Sequence, residues 1–115
     1  MDYKSTPRPT TSIWGDVQQA MEIAPGIWEV STAGHGGVLL SSERNKKVPP
    51  ELIEASFMEQ GRSGNYEEDC DISIPMTVFR KEYEEHFKRI PLTEETINKI
   101  FERATAEVKR ILKGD

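Results

Sequence analysis

Cysteine is nearly absent from this chain: Cys70 is the one thiol in 115 residues, and histidine occurs only at His35 and His86. A lone thiol excludes an intramolecular disulfide framework, and one cysteine with two histidines is too few for the common structural zinc patterns. Long apolar runs are missing as well. None approaches the roughly 20 residues needed to cross a bilayer, and Met1-Asp2-Tyr3-Lys4-Ser5 has neither the basic nor the apolar part of a secretory signal. The expectation is a cytoplasmic protein, not membrane-spanning and not exported by the standard route. The Gly-Lys-Ser/Thr ending of a phosphate loop is also lacking, as is a glycine fingerprint that opens a helix. No cofactor is implied.

What is present suffices for one core without staples, since a domain of this size buries about two thirds of the surface its unfolded chain exposes. The net charge of −5 is unevenly placed. Acids and bases balance over residues 1–50 and again over 91–115, whereas residues 51–90 carry ten acids against five bases. Negative potential of this kind repels nucleic acid and favours a basic protein partner. The plainer reading is a solvated helix face that maintains solubility.

Residues 1–12, with Pro7 and Pro9, lack apolar periodicity and read as a flexible N-terminal arm, leaving 13–115 as a single α+β domain. From Val17 to Val30 two apolar runs flank Ala24-Pro25-Gly26, the proline and glycine in the order a type II turn prefers. This predicts a hairpin, though alternation does not settle which face of Ile27–Ser31 points inward. Both tryptophans, Trp14 and Trp28, read as core or edge-of-core residues. Ala33–Gly37 reads as a loop, Val38–Leu40 as a third strand, and Ser41 or Ser42 as the cap of a short helix. Pro50 opens a helix expected to run through Gln60 with Phe57 and Met58 on its packed side, and Gly61–Asn65 reads as a surface loop. Ile72, Met76, Phe79, Tyr83, Phe87 and Ile90 recur at helical spacing, predicting one helix capped by Asp69 or Asp71 and ended by Pro91. Thr93 caps a last helix with Glu94 and Glu95 in its first turn and basic residues at its end. The fold class is therefore α+β, a small antiparallel sheet of a hairpin plus a third strand packed by three to four helices.

Two clusters could carry chemistry. In Ser31-Thr32-Ala33-Gly34-His35-Gly36-Gly37 a histidine stands among exposed backbone amides, a setting that can cradle an anion or transfer a proton. A loop histidine fixed by backbone hydrogen bonds is the plainer alternative. In Tyr66-Glu67-Glu68-Asp69-Cys70-Asp71 four carboxylates crowd five positions, which suits a hard cation or an acid and base pair. The spacing lacks the alternation and central glycine of a calcium loop, so capping plus a solvated or partner-facing patch is the simpler use, and no metal site is assigned. Surrounding carboxylates should raise the pKa of Cys70, which reads as a small packed residue. His86 reads as a boundary residue beside Phe87.

The chain resembles a family of small, functionally uncharacterised proteins of phages, prophages and plasmids. The resemblance rests on Ala24-Pro25-Gly26-Ile27-Trp28-Glu29-Val30-Ser31-Thr32, on His35-Gly36-Gly37-Val38-Leu39-Leu40-Ser41 with Arg44 after it, and on the Tyr66–Asp71 run, and it spans roughly residues 13–90. It implies a mobile-element origin and no established activity. By analogy with small acidic phage proteins it points to an anti-defence, anti-CRISPR-like inhibitor. Such a protein would block a host defence complex by presenting Glu67, Glu68, Asp69, Asp71, Glu82 and Glu85, with His35, to a basic nucleic-acid-binding surface. On that expectation the partner is a protein, with no direct nucleic acid and no membrane, and the chain acts as a monomer or dimer. Whether it is also an enzyme stays open. A small hydrolase or metal-dependent enzyme would need His35 and the Glu67–Asp71 run in one pocket. A structural or regulatory oligomer would need an exposed stripe along Ile97, Phe101, Val108 and Leu112.

Overall fold

The computed structural model describes residues 3–113. Strands β1 (Thr11–Ser12) and β2 (Gly15–Asp16) form a small antiparallel pair, followed by β3 (Gln19–Ala24), β4 (Ile27–Ser31) and β5 (Gly36–Leu40). Two short helices come next, α1 (Ser42–Asn45) and α2 (Pro50–Ala55), then a tight helical turn over Phe57–Ser63 and strand β6 (Asn65–Glu67). Helices α3 (Ser73–Val78), α4 (Arg80–Lys88) and α5 (Glu94–Leu112) complete the chain. The larger sheet has the order β3-β4-β5-β6, every neighbour antiparallel. The α+β expectation holds, with a fourth strand and a separate strand pair beyond the three strands anticipated.

The β3–β4 turn forms where Pro25 and Gly26 predicted it, and Gly26 takes the positive φ of 85° that its position requires. A bulge between Glu22 and Ala24 shifts the register. Ile23, Ile27, Leu40, Val38 and Tyr66 join the main core with residues of α3, α4 and α5. Opposite that core lie Trp28, Gly37, Leu39 and Asn65, since alternate residues face opposite ways. This second face is also covered. Trp28 Nε1 donates to Thr6 Oγ1 (3.0 Å), Ile13 N–H to Asn65 Oδ1 (3.4 Å), and Ser5 Oγ to Glu22 (3.0 Å). With both faces occupied, alternation along β4 had no polar side to reveal.

The segment expected as a free arm thus carries contacts from Tyr3 onward, its first two residues lying outside the described part. The Tyr3 ring meets Phe79 edge-on at 6.2 Å, and the Arg44 guanidinium lies 3.6 Å over the Tyr3 ring. Paired structure begins at Thr11, slightly before the Ile13-Trp14 expected.

Four local expectations are corrected. Gly36 and Gly37 belong to β5, not to a loop, since they pair with Ser31 and Val30, and the close packing requires glycine at 37, where a Cβ would stand 2.3 Å from the Tyr66 carbonyl and 2.5 Å from the Trp14 ring. Here glycine marks close approach within a strand. Asn65 opens a fully buried β6 in place of a surface loop. The helix from Pro50 stops at Ala55, where Ser56 turns extended (φ −66°, ψ 155°), so Phe57 and Met58 project outward. The helix expected from Asp71 to Ile90 is divided at Phe79 (φ −111°, ψ 44°). Hydrogen bonds from Phe79 N–H to the Pro75 carbonyl and from Tyr83 N–H to the Phe79 carbonyl keep its stripe in phase across the break.

α5 agrees with its sequence. Thr93 Oγ1 accepts the Thr96 N–H at 3.1 Å, and Ile97, Phe101, Ala104 and Val108 are buried against α3 and the core. The stripe that an oligomer would have needed exposed is therefore largely internal, with Leu112 open at its end.

Candidate interaction surface

The acidic run divides according to the strand it grows from. β6 turns Glu67 to the covered second face, where it is buried beside Gly37, and the turn after it buries Asp71 at 2 % exposure, while Glu68 and Asp69 remain exposed. Burying a carboxylate is costly unless donors reach it. Asp71 Oδ2 accepts the Phe57 N–H at 2.8 Å, and Glu67 accepts the Asp69 N–H at 3.3 Å. Asp71 therefore braces the Phe57 turn and does not cap a helix; Ile72 holds the position before α3 and offers no side-chain bond. Burial pushes the Asp71 carboxyl above the usual aspartate range, with Glu67 adding to the rise and the Phe57 N–H opposing it. The Cys70 thiol is pushed up to about 11, chiefly by its hydrogen bond to Glu67 and then by burial and the neighbouring acids.

Glu82 has a structural partner. It forms an ion pair with Arg44, whose side chain is 3 % exposed. The Arg44 guanidinium stands over the Tyr3 and Phe79 rings, and its Nε donates to the Pro25 carbonyl at 2.9 Å. A buried guanidinium needs a counter-charge, and Glu82 supplies it. Beside this pair a cleft of about 280 Å³ is lined by Glu22, Pro25, Glu82, Glu85 and Arg89 as well as Arg44.

Glu68 faces a different place. A shallow depression of about 360 Å³, lined by Met21, Glu29, Ser31 and Glu68 among others, has two carboxylates and no basic residue in its lining. Gly36 pairs with Ser31, and Glu68 N–H donates to the Gly36 carbonyl at 2.9 Å, so this depression lies at the far end of β4 from the turn that borders the cleft. The length of Ile27–Ser31 separates the two ends by about 14 Å, four steps of roughly 3.4 Å. The acidic residues singled out from the sequence thus occupy two places.

His35 adjoins the Glu68 end through Gly36. Its N–H donates to Thr32 Oγ1 (3.1 Å), and its carbonyl accepts from the Thr32 N–H (2.7 Å) and Oγ1 (2.9 Å). The loop is fixed by its backbone, while the exposed imidazole has no hydrogen-bond partner among the described residues. Among those residues no group of three His, Cys, Asp or Glu is arranged to hold a metal ion. His86 is half-buried with its ring 5.8 Å from that of Phe87. Sequence reasoning overlooked Glu22 and Glu29, which only strand pairing brings beside acids distant in the chain. Arg44 was visible only as a member of the family pattern.

No curated protein and no solved structure matches the chain significantly. A family model described as a domain of unknown function, DUF7007, matches residues 7–112, and the chain belongs to that family. Among the described residues no helix is long and apolar enough to cross a membrane.

Proposed function

We propose that this DUF7007 chain is an anti-defence protein of a phage or other mobile element. It binds a host nucleic-acid-binding effector and blocks it by offering carboxylates where the effector receives phosphates, in the manner of an anti-CRISPR protein. The observation that supports this most is the depression holding Glu29 and Glu68, which no basic side chain lines and beside which Asp69 is exposed. Unneutralised carboxylates on an open surface attract a basic groove and accelerate encounter with it.

Burial redistributes the roles. Glu68, Asp69 and Glu29 make the contact at one end, with His35 at the rim, and Glu85 with Glu22 extends it at the other. Glu67, Asp71 and Glu82 act from beneath: two brace the turns that carry the surface, and one holds Arg44.

The test is affinity capture from bacterial cells by the tagged chain at low and moderate salt, beside Glu29→Gln/Glu68→Lys/Asp69→Lys. Wild type should recover a nucleic-acid-binding complex, and the triple variant should lose at least about tenfold of that recovery, with wild-type binding falling steeply as salt rises. Equal recovery by both proteins would sink phosphate mimicry.

A further inference from the structure

Among the described residues, Met58 (φ 51°, ψ 28°) and Glu59 (φ 53°, ψ 29°) are the non-glycine residues with positive φ, and they are adjacent. A left-handed backbone is unfavourable for any residue with a Cβ, and it persists only where the surroundings over-determine it. They do so here. The buried Asp71 carboxylate takes the Phe57 N–H, Ser56 Oγ takes the Gly61 N–H at 3.0 Å, and Asn45 Nδ2 donates to the Gly61 carbonyl at 2.8 Å.

Part of this bracing also holds the core, since the buried Tyr66 hydroxyl donates to Asn45 Oδ1 at 2.6 Å, but the apex of the turn packs nothing: Phe57 is 49 % and Met58 77 % exposed. The fold braces a strained turn with hydrogen bonds on both sides and leaves its two large apolar side chains outward. Strain of this kind concentrates at functional sites, and a rigid aromatic with an adaptable methionine makes a suitable interface anchor. Glu51, Glu54 and Glu59 stand on either side of the turn in sequence, all exposed; Arg62 pairs with Glu59 (Nε to Oε1, 2.8 Å), which leaves Glu51 and Glu54 as the acids without a basic partner among the described residues. These acids decide what can cover it. They repel phosphate-bearing nucleic acid and anionic lipid, and a second copy would bring the same charges against them.

We propose that the Phe57–Met58 turn is a docking knob for a protein partner that offers an apolar pocket rimmed by lysine or arginine. The inference goes beyond phosphate mimicry, because it requires a pocket and no copied phosphates.

Placing p-benzoylphenylalanine at Met58 in the full chain, with Lys99 on α5 as the control position, tests it in bacterial cells. Irradiation should yield an adduct from position 58 and none from 99, and the adduct should map to a partner peptide with apolar residues flanked by lysine or arginine. With that partner purified, Met58→Ser should weaken binding about tenfold or more. Met58→Gly should weaken binding equally while raising Tm, because glycine relieves the backbone strain, so the loss is not one of folding. The adduct should persist in a Glu68→Lys/Asp69→Lys background, which separates this inference from phosphate mimicry. Absence of an adduct at 58, an adduct with a second copy, with lipid or with nucleic acid, or unchanged binding by Met58→Ser would overturn it.

Discussion

At the scale of single residues, a buried carboxylate and a buried guanidinium explain two of the acids of residues 51–90, Asp71 and Glu82. Asp71 is held inside by one backbone donor while burial raises its pKa. Asp71→Asn keeps an acceptor for the Phe57 N–H and removes the buried charge, so at neutral pH it should unfold at the same or higher urea concentration than wild type. Asp71→Ala leaves that N–H unpaired and should cost about 1–3 kcal/mol. A carboxyl whose pKa is raised on folding contributes stability that is complete below its unfolded pKa and is lost as pH rises through the folded value. Any advantage of Asp71→Asn should therefore shrink as pH falls toward the ordinary aspartate range, and urea titrations at several pH values will measure it. The Arg44–Glu82 pair behaves differently, because removing Glu82 strands a buried guanidinium. Glu82→Ala should cost about 2–3 kcal/mol, less than a fully buried pair because Glu82 is partly exposed, and Arg44→Met should cost less than Glu82→Ala. Equal losses in chemical denaturation would contradict that ordering.

At the scale of elements, Gly37 and Thr93 test opposite kinds of inference. The cap at Thr93 was legible because one side chain and the amides after it make a helix start by themselves; Thr93→Ala should cost about 1 kcal/mol. The role of Gly37 was hidden, since its closeness to Trp14 and Tyr66 depends on strands far apart in sequence. Gly37→Ala should displace the Trp14 ring, visible as a shift in tryptophan fluorescence, and destabilise by about 2 kcal/mol or more. The same contrast runs through the fold. The hairpin at Pro25-Gly26 and helix α5 follow from local turn chemistry and a long apolar period, and both were read correctly. β6 has three residues, too few for a period, so in sequence it reads as part of a loop and an acidic run. The break at Phe79 was invisible because the apolar spacing continues across it. The site was legible as a set of acids in one region of sequence, but not as two places, because Glu22 and Glu29 reach their neighbours only through sheet pairing.

At the scale of the whole molecule, the excess negative charge of residues 51–90 does not form one face. Part of it is internal, part pairs with Arg44, Arg62, Arg80 and Lys88, and the remainder is divided between the two ends of β4 and the flank of the Phe57–Met58 turn. A partner that reads this surface must therefore meet charge at separate points, with an apolar anchor available near one of them. That arrangement suits a folded basic protein better than a small cation. The central claim is that this surface takes the place of nucleic acid on such a protein, and competition on the purified partner tests it most directly. With the partner's nucleic acid labelled, adding the chain should displace the label in proportion to occupancy, and the Glu29→Gln/Glu68→Lys/Asp69→Lys variant should fail to do so at equal concentration. A stable complex holding the partner, the nucleic acid and the chain together would contradict the account.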